Sequence, residues 1–143
     1  MDYRDATEAE SRRVLEAAQK QIGKGYMEIQ QCTGLVCLAV RTVNIYFPTN
    51  GPVSYIAANP GLRLLAANEA PRAGDIMVWR GNHMGIYDPN PPAQVGQTRV
   101  DRTYTVLSAR GTPGGAHNAG VSYGLPAWFN PKPPAFMRVR VPA

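Results

Sequence analysis

From Cys32 to about Val43 the chain reads CTGLVCLAVRTV, a run that carries a single charge, Arg41. Its length and composition predict a helix, and a helix that is apolar all round has no face to give to water. It must be buried. In a chain of 143 residues the other elements have to wrap around it, which predicts one domain, residues 1–143, with one sizeable core.

The segments on either side show how. TEAE places Glu10 three residues after Thr7, the signature of a capping box. Val14, Leu15, Ala18 and Ile22 follow at helical spacing, and Gly23 is a natural stop. GKGYMEIQQ then reads as a loop leading into the buried helix. FPTNGP is a turn cluster. A short helix is expected near 53–58, and LRLLAANEA reads as a further turn of helix. After PRAGD (71–75) the character changes. DIMVW (75–79) and HMGIYD (83–88) are short apolar runs split by RGN, which predicts a hairpin. DPNPPAQVGQ is a proline-rich loop, RTYTVLSA (102–109) a third strand, RGTPGGAHNAG a glycine-rich loop and FMRVRV (136–141) a last strand. Helices come first and a small antiparallel sheet follows, so the fold class expected is α+β.

Composition excludes several functions. Hydrophobic residues make up 44% and charged residues 17%, which belongs to a folded chain rather than a disordered one. No apolar run reaches the roughly 18–20 residues of a membrane span. The start, MDYRDATEAESRR, is charged and lacks the apolar stretch of a classical signal peptide. A net charge of +5 would suit a polyanionic partner, but the basic residues are scattered, which argues against nucleic acid. No cofactor or zinc-ligand spacing is present. Cys32 and Cys37 lie five apart, about 140° around a helix, so they are not expected to bridge.

The two cysteines pose different chemistry. Cys32 sits where a loop meets a helix, and a helix N-terminus favours the thiolate, the nucleophilic form. The next two residues, Thr33 and Gly34, are small and leave room for a substrate. Cys37 lies one and a half turns in, between Val36 and Leu38, and reads as packing. A nucleophilic cysteine needs a base, and the histidines are His83 and His117. His83 opens a strand, from where it can project over a helix terminus. His117 lies in a loop, so His83 is the better base. A third group must hold the ring in its useful tautomer. Thr103, Thr105 and Ser108 are candidates on the next strand, ahead of Asp88 and Asp101 at loop edges. Ser108, near the strand end, is the choice.

Taken in order, a small-residue loop with a tyrosine, CTGLV, PRAGDIMVW and HMGIYD resemble the NlpC/P60 superfamily, the papain-like cysteine peptidases of the bacterial cell wall. The resemblance covers about residues 14–110. It implies a papain-like fold with N-terminal helices on a small antiparallel sheet. It implies Cys32 as nucleophile, His83 as base and Ser108 as the third polar residue. Backbone at Cys32 and Tyr26 would supply the oxyanion hole, with Thr33 and Gly34 beside it. The chain departs from the family pattern at Ser108, where His, Glu, Asn or Gln is usual, at Gln31, usually Asp, and at Thr33, usually Ser.

The tail, GGAHNAGVSYGLPAWFN, is similar in layout to small amidase effectors that type VI secretion systems deliver into rival bacteria. That resemblance implies a monomeric antibacterial hydrolase acting in the target periplasm on peptidoglycan stem peptides, without a cofactor, and held in check in its producer by an immunity protein. Two other readings fit the same residues: a papain-like toxin acting on a protein or lipid, and an inactive module that binds wall polymers.

Overall fold

The computed structural model describes residues 1–111 and 120–143. Among them the chain is mixed α+β, as expected. Helix α1 spans Glu8–Gln19, α2 Gln31–Val40 and α3 Val53–Ala57. The capping box of α1 is formed: Thr7 Oγ1 accepts from the Glu10 amide at 3.1 Å, and the Glu10 carboxylate accepts from the Thr7 amide at 2.8 Å.

The strands are β1 (Tyr3–Asp5), β2 (Leu62–Leu64), β3 (Ile76–Trp79), β4 (His83–Tyr87), β5 (Gln94–Val95), β6 (Thr98–Arg99), β7 (Val106–Arg110), β8 (Gly120–Gly124) and β9 (Ala135–Pro142). The main sheet runs β1-β9-β3-β4-β7-β8, with β2 also on β9. Every pairing in it is antiparallel. The expected β3–β4 hairpin is present, with Trp79 opposite His83.

Several segments differ from expectation. LRL of LRLLAANEA is strand β2, because Leu62, Arg63 and Leu64 pair with Val139, Arg138 and Met137 of β9. A long neighbour offering free backbone groups outweighs the helix preference of Leu and Ala. The third strand starts at Val106 rather than 102. β1 and β8 lie at the ends of the strand order, and β5 and β6 form a separate ribbon in the proline-rich stretch.

The core lies between α1, α2 and one face of the sheet. Val14, Leu15, Ala18, Leu35, Val36, Ile76, Met84, Ile86, Leu107 and Val139 meet there. On the opposite face Met77, Trp79 and Val106 form a smaller cluster, covered by Tyr87, Phe129 and Phe136. No helix among the described residues is long and apolar enough to cross a membrane.

Two glycines let backbones touch. A Cβ on Gly74, which has φ +90°, would stand 1.9 Å from the Ser11 carbonyl oxygen of α1. A Cβ on Gly34 would stand 2.0 Å from the Ile29 carbonyl oxygen, so the loop before α2 folds directly over that helix. Alanine in an unencumbered helix stabilises by about 1 kcal/mol over glycine. Gly34→Ala is expected to do the reverse and lower the unfolding free energy by about 3 kcal/mol, measured by urea unfolding.

Candidate active site

The approach to Cys32 is held in an unfavourable backbone. Gln30 and Gln31 have φ of 64° and 71°, the left-handed region that costs a non-glycine residue about 1–2 kcal/mol. Asn50 fastens them. Its Nδ2 donates to the Gln30 carbonyl at 3.3 Å, and its Oδ1 accepts from the Thr33 hydroxyl at 2.6 Å and the Gly51 amide at 2.8 Å. The Gln31 amide in turn donates to the Tyr26 carbonyl at 2.8 Å. The bend delivers Cys32 into the first turn of α2 with no side chain capping the helix start.

Backbone groups of Met84, Thr33 and Cys32 itself favour the Cys32 thiolate, yet burial outweighs them and raises the thiol above its ordinary pKa. Met84 follows His83 in the chain, so the sulfur lies beside the start of β4. Cys37 is fully enclosed, and burial pushes its thiol to about 11. Both cysteines are free.

His83 is buried, and its Nε2 lies 3.0 Å from Ser108 Oγ. Gly85 makes that bond possible. His83, Gly85 and Tyr87 share a face of β4, and the pairing of Ile86 with Leu107 sets Gly85 beside Ser108. A Cβ at 85 would come within 2.9 Å of Ser108 Cβ. The ring also stacks on Phe129, with centroids 3.8 Å apart and planes 14° from parallel, and meets Trp79 at 5.5 Å. Burial, then the Arg110 charge, lower the His83 pKa to about 4.

That shift makes stability depend on pH. The imidazole ionises at 6.5 when exposed and at about 4 when folded. The folded state therefore binds fewer protons between those values, so stability is full above pH 6.5 and is lost as pH falls to about 4. At about 1.4 kcal/mol for each pKa unit, the loss is roughly 3 kcal/mol. His83→Gln is expected to remove that part of the acid sensitivity, read as the difference between urea unfolding at neutral pH and near pH 4.5.

A cleft of about 390 Å³ opens at His83, lined also by Tyr26, Asn82, Arg110, Trp128 and Phe129. Tyr26 lines this cleft, and burial, then the Cys32 charge, raise its hydroxyl pKa. The structure thus joins His83 to Ser108 and sets Tyr26 beside His83 in the cleft, while Cys32 opens α2 with backbone at Met84, the residue after His83, acting on its sulfur. Thr33 is buried and tied to Asn50, and what faces Gly34 is the protein's own Ile29 carbonyl. Both shape the approach to Cys32. Asp88 accepts from the Tyr123 hydroxyl at 2.7 Å and Asp101 from Thr103, so both carboxylates are engaged elsewhere. His117 lies outside the described residues.

Asn50, Gly85, Arg110, Trp128 and Phe129 are site residues the sequence reading missed. NG within FPTNGP marks a turn, and AWFN places two aromatics together, but neither says which helix or histidine it will meet. Among the described residues no three of His, Cys, Asp or Glu gather in a form that could hold a metal ion. No family model, curated protein or solved structure matches the chain.

Proposed function

We propose that the protein is a papain-like cysteine amidase that cleaves amide bonds in peptidoglycan stem peptides. The observation that carries the chemistry is the pairing at the start of β4. Backbone at Met84 favours the Cys32 thiolate, and Ser108 Oγ lies 3.0 Å from Nε2 of His83, the residue before Met84. With Nε2 engaged, Nδ1 is the nitrogen left to serve the thiol. The wall substrate and action in a target periplasm rest on the sequence resemblance.

The steps follow from the pKa directions. In the free protein the proton rests on sulfur and the imidazole is neutral, so His83 is competent as a base across the neutral range. His83 Nδ1 takes the thiol proton as Sγ attacks the carbonyl carbon. The tetrahedral oxyanion accepts hydrogen bonds from the Cys32 amide at the helix start and from the Tyr26 hydroxyl. The imidazolium gives its proton to the leaving nitrogen, and the C–N bond breaks to leave a thioester. Water, deprotonated by His83, then releases the acid and restores the thiol. For this the proton must sit on Nε2 with Ser108 Oγ accepting. A serine fixes that tautomer less firmly than a carboxylate would.

The test is digestion of purified sacculi by wild type and by Cys32→Ala, with released fragments read by mass spectrometry. New amine and carboxyl ends released by the wild type alone would support the reading, and their masses name the bond. A folded wild type that leaves sacculi of several chemotypes untouched would overturn it.

A further inference from the structure

Among the described residues Arg110 is the arginine that lines the cleft at His83. Arg4, Arg63 and Arg138 pair with carboxylates. Arg110 has no such partner among the described residues, although it is half-buried and its Nε is enclosed without a hydrogen bond. Its guanidinium lies over the Trp128 ring, 4.4 Å from the centroid, and Trp128 is braced edge-on by Tyr104 at 5.1 Å. Both Arg110 and Trp128 line the cleft that ends on His83.

A stacked guanidinium loses little freedom when it binds, and its flat fork of donors matches a carboxylate. Partial burial without a counter-ion is unfavourable in the free protein and is relieved when an anion arrives. We propose that Arg110, laid on Trp128, is a carboxylate-binding subsite that selects substrates carrying a free carboxylate near the scissile amide. The proposal rests on the Cys–His reading of this site. It narrows the substrate to acidic peptides, a class that includes stem peptides with unamidated acidic residues. A bound carboxylate would also offset the positive charge that, after burial, depresses His83, and so strengthen the base when the right substrate is in place.

The test needs no knowledge of the bond cleaved. Cys32 is alkylated with iodoacetate and with N-iodoacetyl-glycine, -β-alanine and -γ-aminobutyrate, each against its uncharged carboxamide, and the modified peptide is identified by mass. At one or more lengths the carboxylate reagent is expected to react at least about threefold faster at low salt. The preference should shrink as salt is added. It should vanish in Arg110→Gln and persist in part in Arg110→Lys, each read as the ratio of carboxylate to carboxamide rate within one protein, so that a common change in thiol reactivity cancels. No preference at any length, a preference that survives Arg110→Gln, or no reaction of Cys32 with any reagent overturns the proposal. Sacculi cleaved without a carboxylate preference would remove the subsite and leave the amidase reading standing. A carboxylate preference with sacculi untouched would do the opposite.

Discussion

Cys32→Ala is expected to lower the rate of amide cleavage by at least about 10³-fold while the protein stays folded. No other described group can replace the sulfur, since Cys37 is fully enclosed and the Ser108 hydroxyl is turned to His83 Nε2. The fold should tolerate the change, because Cys32 contributes a small side chain at the edge of the core rather than a large one inside it. His83→Gln should fall almost as far, and the double variant little further, because in the proposed mechanism nucleophile and base act as one unit. Ser108→Ala should fall less, by about tenfold, since it orients the ring without touching the reacting atoms. Steady-state rates on the fragments identified from sacculi, with circular dichroism of each variant, check all four values.

Asp75→Ala is expected to be the most damaging single change to stability, lowering the unfolding free energy by about 3–5 kcal/mol. Asp75 is fully buried at the start of β3. Its two oxygens accept from Nε and a terminal nitrogen of Arg138, each at 3.0 Å, and one also accepts from the Arg72 amide at 2.8 Å. Removing the carboxylate leaves a buried guanidinium with little besides the Ala70 carbonyl and a distant Glu69. For a domain of ordinary stability, 5–15 kcal/mol in all, that is a large share. Urea unfolding gives the value. Arg138→Ala should be of similar size, and the two together should cost clearly less than their sum, since each alone strands the other's partner.

The same residues show what could be read from sequence and what could not. The buried helix, the capped first helix and the β3–β4 hairpin were legible because each follows from a local pattern: an apolar run, a capping box, two apolar runs about a tight turn. β2 was misread because Leu62–Leu64 has helix-forming residues and becomes a strand only through β9, more than seventy residues away. β8 was not expected, because its ends, Gly120 and Gly124, look like turn residues when its partner β7 is not in view.

The candidate site divides in the same way. Cys32 and His83 could be chosen because each sits at a recognisable end of an element, whereas Ser108, expected near the end of a strand over 102–109, lies in the middle of β7. Their supports could not. Asn50 reaches the Gln30 bend from a turn twenty residues on, and Phe129 reaches His83 from forty-six residues beyond it. The Gly-Asp pair of PRAGD was legible as part of a family resemblance, but its physical work is structural. Gly74 admits α1 and Asp75 holds Arg138, and neither touches the reacting groups.

Trapping an acyl-enzyme tests Cys32 as nucleophile without an intermediary. Wild type is mixed with an excess of the cleaved stem peptide, quenched in acid within a turnover, and digested for mass spectrometry. One covalent adduct is expected, on the peptide that contains Cys32, with the mass of the acyl fragment, and none in Cys32→Ala. Turnover with no adduct on Cys32, or cleavage that persists in Cys32→Ala, would contradict that role.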